Sequence, residues 1–206
     1  IDQQYPHSSI WKGIDSFKSL YEYIKNIQPD LIIDIGAFAG IFSIIAKKAA
    51  NNSTVIAFEP NTENVLCTQL NFNLNDCKDI ILLPFAVSNK LKRAHFEIPN
   101  NMSISGKITS DPTPSSISVP ATPLDLFIKS SNYQRVVIKL DVEGHEPQAV
   151  NGMLNFLEKS SCCKLFIMEY HPASWSSREN SEVLQKIFGK FNYACWCSAW
   201  QFTESN

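Results

Sequence analysis

LIIDIGAFAG, residues 31–40, is the stretch whose reading decides the fold. Leu31 to Ile35 is short and almost continuously apolar, the pattern of a strand buried on both faces. It stops at Gly36, a residue type that tolerates positive φ and lets the backbone come close to a ligand. Gly40 then opens the Ala-rich apolar run 41–50, which reads as a helix packed back on the strand. The free N–H groups at that helix's start would face whatever fills the crevice between strand and helix.

Outward from this unit the alternation continues. Residues 54–58 form a second strand ending at Phe58-Glu59-Pro60, 62–74 a second helix and 79–85 a third strand. Upstream, Phe17, Leu20, Tyr21, Ile24 and Ile27 recur at helical spacing over 14–27, and Pro29 closes that helix. Downstream, 136–140 and 164–169 read as strands, 148–158 and 182–188 as helices, and 193–202 as a closing hairpin. Strands alternating with helices imply an α/β fold with a parallel sheet and right-handed crossovers. Between them, 99–123 holds five of the eleven prolines among Ser, Thr and Asn, and reads as a loop-rich, strand-poor insertion.

The 206 residues fit one domain over 1–206, with 1–29 as an N-terminal helical segment. A net charge of −2 offers no basic footprint for nucleic acid and no cationic tail for a membrane surface. No apolar run approaches a spanning helix and no signal-peptide pattern opens the chain, so a cytoplasmic location is expected. The six cysteines lack paired C-x-x-C spacing and read as reduced thiols. Ile1 stands where a Met would begin a complete chain, which leaves open a longer parent.

The loop from Asp34 to Gly40 leaves the first strand at its carboxyl end, where doubly wound sheets bind ligands. The G-x-G-x-x-G of a dinucleotide site is absent, because Ile35 and Phe38 supply no further glycines. A carboxylate at Asp34 would repel a pyrophosphate and attract a cationic amino-acid group. S-adenosylmethionine carries both an ammonium and a sulfonium, so charge favours it over NAD. Glu59, about twenty residues on, ends the second strand where a carboxylate can accept from ribose hydroxyls. Two alternatives stay open: a non-catalytic cofactor-fold binding module of a larger protein, and an NAD-dependent oxidoreductase.

The run Lys139-Leu140-Asp141-Val142-Glu143-Gly144-His145-Glu146 ends the fourth strand. Lys139, Asp141 and Glu143 are two residues apart and share a face. Two carboxylates at a strand end require a ligand, a metal or a basic partner. Gly144 turns the chain so that His145 and Glu146 either enter the crevice or start a helix, where Glu146 would be an ordinary first-turn carboxylate. His171 follows the fifth strand directly and is the better general base, since an imidazole is available neutral near pH 7. The catalytic candidates are therefore His171, Asp141, Glu143, His145 and Lys139. Asp141, Glu143, His145, Glu169 and His171 could also converge on a divalent ion such as Mg, but spacing alone assigns no metal site.

From about Leu31 to Tyr170 the sequence resembles the FkbM family of methyltransferases. The resemblance rests on DIGAFAG (34–40), AFEPN (57–61), LPFAVSN (83–89), PLDLF (123–127), VIKLDVEGHE (137–146) and IMEYH (167–171). It implies the class I methyltransferase (Rossmann-like) fold, a mostly parallel seven-stranded sheet with helices on both faces. It also implies S-adenosylmethionine as cofactor and O-methylation of a hydroxyl on a small molecule, sugar or natural product. Carried over by position, Asp34, Gly36 and Gly40, with Ala37 and Phe38 between them, would line the methionine part. Glu59, with Pro60 and Asn61, would take the ribose, Ala86 and Val87 would lie near the adenine, and Asp141 would border the cofactor. Family members often read DIGANxG, so Phe38 stands where an Asn is usual, and its ring could pack on the cofactor or cap the pocket. The small-molecule acceptor is not legible in the sequence; the insertion and Trp196, Trp200 and Phe202 are expected to shape its pocket.

Overall fold

A computed structural model describes residues 7–98, 106–109, 111–129, 132–159, 161–191, 195–198 and 201–204. In chain order the first elements are α1 (His7–Ile27), β1 (Leu31–Ile35), α2 (Ile41–Ala49), β2 (Thr54–Phe58), α3 (Thr62–Leu74) and β3 (Ile81–Leu83). Then come β4 (Ala86–Val87), β5 (Lys92–Glu97), β6 (Lys107–Thr109), β7 (Ser116–Thr122) and β8 (Val136–Leu140). The chain continues through α4 (Glu146–Asn151), α5 (Leu154–Lys159), β9 (Cys163–Met168), α6 (Arg178–Phe188), β10 (Cys195–Ser198) and β11 (Gln201–Glu204).

The central sheet is parallel, in the order β3-β2-β1-β8-β9. The first strand lies between β2 and β8, and all five of its residues are buried. Side chains alternate across it with period two. Leu31, Ile33 and Ile35 join Ile138, Leu140, Val150 and Met153 on one face, while Ile32 joins Val55, Val137, Phe42 and Phe72 on the other. The helices thus divide between the two faces, α1 to α3 against one and α4 to α6 against the other. That alternation sends Asp34 to the α2 side, with Ile32.

Three sequence expectations are corrected. The central sheet has five strands among the described residues, not seven; β10 and β11 pair only with each other. The segment around 99–123 is not strand-poor. Its described part supplies β6 and β7, which join β4 and β5 in a second sheet of order β4-β7-β5-β6. The helix expected over 148–158 is two short ones, α4 and α5, broken at Gly152, where an added Cβ would lie 2.0 Å from the Ser88 carbonyl oxygen. That break seats the helices against the second sheet. No described helix is long and apolar enough to cross a membrane.

Candidate active site

A crevice of about 300 Å³ opens where the carboxyl ends of β1, β2 and β8 meet the second sheet. Gly36, Phe38, Phe58, Glu59, Pro60 and Asn64 form one wall. The second sheet contributes Ala86, Val87, Phe96, Gly106 and Ile108, and Asp141, Glu143, His145 and Glu169 close the far end.

The loop after β1 is shaped by close approach. Gly36 has φ +80°, and a Cβ there would fall 1.8 Å from the Asp141 carbonyl oxygen, so the two strand ends touch backbone to backbone. Gly40 has φ +76°, and its Cβ would meet the Phe72 ring at 2.5 Å and Thr68 at 2.8 Å, so its bare backbone lets the start of α2 come up against α3. Between them Phe38 adopts φ +50°, a conformation in which Asn is favoured and a bulky residue is strained. The usual Asn at this position therefore has a backbone reason. The Phe38 amide donates to Glu59 Oε2 at 2.8 Å, its carbonyl accepts from the Thr68 hydroxyl, and its ring is 37% exposed at the crevice.

Glu59 pins this loop. Besides Phe38, its carboxylate accepts from the Asn61 amide at 2.9 Å and from Asn64 Nδ2 at 3.2 Å. Burial pushes the carboxyl's pKa up, against the pull of those donors. A carboxylate offers about four lone-pair sites, so one remains for a ligand hydroxyl. Asn61 spends its side-chain oxygen capping α3 through the Glu63 amide at 3.0 Å, and lies outside the crevice lining, as do Ala37 and Gly40.

Asp34 also lies outside it. The carboxylate is fully buried under α2, accepts from Ser43 Oγ at 2.7 Å and faces Lys139 Nζ at 3.5 Å. Asp34 and Lys139 are register partners on adjacent strands, so the pairing follows from the sheet. Lys139 also donates to the Gly36 carbonyl at 2.6 Å and lies 3.4 Å from Asp141. Burial alone would lower the Lys139 pKa, but Asp34 and Asp141 together hold it above its usual value. The charge argument that gave Asp34 a cationic ligand is thus met by Lys139, and Lys139 braces the loop instead of facing the crevice. Of the two reasons against a dinucleotide, only the missing glycines remain.

His145 lines the crevice but is nearly buried. It is 8% exposed, its Nε2 lies 3.0 Å from Ser88 Oγ, and burial, assisted by Lys92, pushes its pKa down to about 4. It ties the turn after β8 to the second sheet.

What does converge is Asp141, Glu143 and Glu169, whose carboxylate oxygens lie within 4.8 Å of one another. This spacing would admit a hard divalent cation with oxygen ligands; the wider set of five expected from sequence is not assembled, because neither His145, held at Ser88, nor His171 falls within that group. A hydrogen bond with Asp141, then burial and the Asp141 charge, push the Glu169 pKa up to about 7. Burial, then Asp141, push that of Glu143 up as well. His171 stands beside them with Nε2 3.7 Å from Glu143 Oε2 and Nδ1 3.0 Å from Glu146 Oε1. Glu146, fully buried, also accepts from the amides of Gly144 at 3.1 Å and Val142 at 3.3 Å, and from Ser174 Oγ at 3.4 Å. Sequence reasoning passed over Glu146 as a helix-start residue; only its place at the end of the KLDVEGHE run marked it. Trp196 and Phe202 lie in β10 and β11, and Trp200 lies outside the described residues.

The model of the methyltransferase FkbM domain matches residues 34–194. The hexuronic acid methyltransferase AglP of Haloferax volcanii is 28% identical over 148 residues, 70% of this chain and 57% of that protein. The chain thus spans little more than half the length of that relative. Among solved structures, cofactor-bound Rv0187 from MTB aligns over 99% of this chain and 80% of its own with a TM-score of 0.52 and 10% identity, a likeness of fold. An O-methyltransferase from Bacillus cereus in complex with SAH aligns over 92% and 70% with a TM-score of 0.47 and 10% identity.

Proposed function

Because the chain belongs to the FkbM methyltransferase family, we propose that it binds S-adenosylmethionine and methylates a hydroxyl oxygen of a small molecule, sugar or natural product. The observation that carries this reading is one crevice with two unlike ends: Glu59 and the 36–38 loop at one, and a carboxylate group backed by His171 at the other.

The residues present fit the cofactor. The bare backbone at Gly36, the exposed ring of Phe38 and the lone-pair site left on Glu59 would hold it, with Ala86 and Val87 forming an apolar wall. When bound, S-adenosylmethionine supplies an electrophilic methyl group on sulfur. The chain's own residues align the acceptor and remove its proton. Asp141 and Glu169 offer acceptors to its hydroxyls, and His171 Nε2 takes the proton of the reacting one. Glu143, 3.7 Å from that nitrogen, offsets the charge the ring gains.

Titration with S-adenosylhomocysteine in a calorimeter is the direct test. Saturable binding that weakens on Glu59→Ala is expected; folded protein giving no heat at high-micromolar ligand would sink the proposal.

A further inference from the structure

From the hydrogen bonds around one fully buried carboxylate we infer that Glu146 is the positioning residue of the site. It sets both the tautomer of the His171 base and the backbone that presents Glu143. This inference rests on the methyltransferase reading and assigns a role that reading leaves open.

A carboxylate with no solvent exposure is costly unless its oxygens are hydrogen-bonded. A first-turn helix residue would normally satisfy itself on its own helix's amides or in water. Glu146 does neither. Its Oε1 gathers donors from two separate loops: the amides of Val142 and Gly144 after β8, and the ring of His171 after β9. Ser174 Oγ, which reaches Oε2, donates from the same stretch as His171.

Two consequences follow. The amides flanking Glu143 are held from both sides, and Glu143 sits at φ +53°. A non-glycine residue in that region persists only when its surroundings fix it. Glu146 supplies that fixing and so aims the Glu143 side chain. The ring of His171 meets a carboxylate that can only accept, so a neutral imidazole must carry its proton on Nδ1. Its Nε2 is then the lone-pair nitrogen, and it is the one facing Glu143 and the carboxylate cluster. Glu146 does not itself line the crevice, so it acts through the residues it holds.

Two variants separate the roles. Glu146→Gln keeps an oxygen where His171, Gly144 and Val142 donate, and its amide nitrogen can face Ser174. Glu146→Leu fills the space but removes the acceptor. In ¹⁵N-histidine spectra, with His171 assigned by its disappearance in His171→Gln, the wild-type ring in its neutral form is expected as the Nδ1–H tautomer. Glu146→Gln should keep that tautomer and hold kcat within a few-fold. Glu146→Leu should lose the tautomer and lower kcat by about 100-fold, the scale of a general base, with KM for S-adenosylmethionine changed less than about threefold. A neutral wild-type ring protonated on Nε2 overturns the inference with no variant needed. So does a Glu146→Leu protein with unchanged kcat. If S-adenosylhomocysteine binds while the ring is Nε2–H, only the positioning role falls; if it does not bind at all, the methyltransferase reading falls and this role with it.

Discussion

Replacing Lys139 with Met tests whether this lysine is a structural brace rather than a catalytic group. The side chain is 15% exposed and faces Asp34, which is 0% exposed, across 3.5 Å. At an effective dielectric near 20 such a pair attracts by roughly 5 kcal/mol before desolvation is charged against it. Removing one partner of a buried pair leaves the other charge uncompensated and typically costs about 3–5 kcal/mol. Ser43 still donates to Asp34 in the variant, but Gly36 loses its 2.6 Å donor. Lys139→Met should therefore lower the urea-unfolding free energy by about 3–5 kcal/mol, with no change in m-value. Adding Asp34→Asn removes the stranded charge, so the double variant should recover about 1–3 kcal/mol relative to additivity. A loss under about 1 kcal/mol, or strict additivity of the two changes, would refute the brace.

Gly36→Ala forces a Cβ to 1.8 Å from a backbone oxygen at positive φ, so it should destabilise by more than about 4 kcal/mol and abolish S-adenosylhomocysteine binding; thermal unfolding within a few degrees of wild type would contradict this. His145, with its pKa depressed to about 4, is neutral inside the fold. Its contribution is whole above pH about 6.5 and is lost as pH falls toward about 4, on the order of 3 kcal/mol in all. His145→Gln should flatten stability against pH across that window, and an unchanged slope would argue against a neutral buried ring. The crevice is lined by Glu59, Asp141, Glu143 and Glu169 and, among the described residues, by no Lys or Arg. A neutral glycoside should accordingly be methylated at least about tenfold faster than the matching uronate, a gap of roughly 1.4 kcal/mol; equal initial rates would show that charge does not select the acceptor.

The parallel core was legible because Leu31–Ile35 and Val136–Leu140 are short runs, apolar at all but one position each, the signature of strands buried on both faces. Register was not. That Asp34 sits beside Lys139 depends on which residues of two distant strands align, and without it the carboxylate looked like a ligand group. The second sheet was hidden by its own composition, since Pro120 lies within β7 and a strand-borne proline usually argues against a strand. It is tolerated because β4 pairs β7 only at Ala121 and Thr122, leaving position 120 unpaired on that side. Glu146 was missed for a similar reason: its defining partner, His171, comes 25 residues later, beyond another strand. A spacing argument sees neighbours in the chain, and this contact exists only once β8 and β9 lie side by side.

The second sheet leaves the chain after β3 and returns before β8. Its anchor points on the central domain include the Ser88–His145 contact and the Gly152 seat. The stretch 89–120, which runs out from Ser88 through the second sheet, can lengthen, shorten or change composition without altering the alignment of the five parallel strands. The wall facing the carboxylates and the floor that holds them are therefore encoded in separate stretches of sequence. A lineage could drift in what it admits to the crevice while the Asp34–Lys139 pair and the loop it braces stay under a constraint of their own.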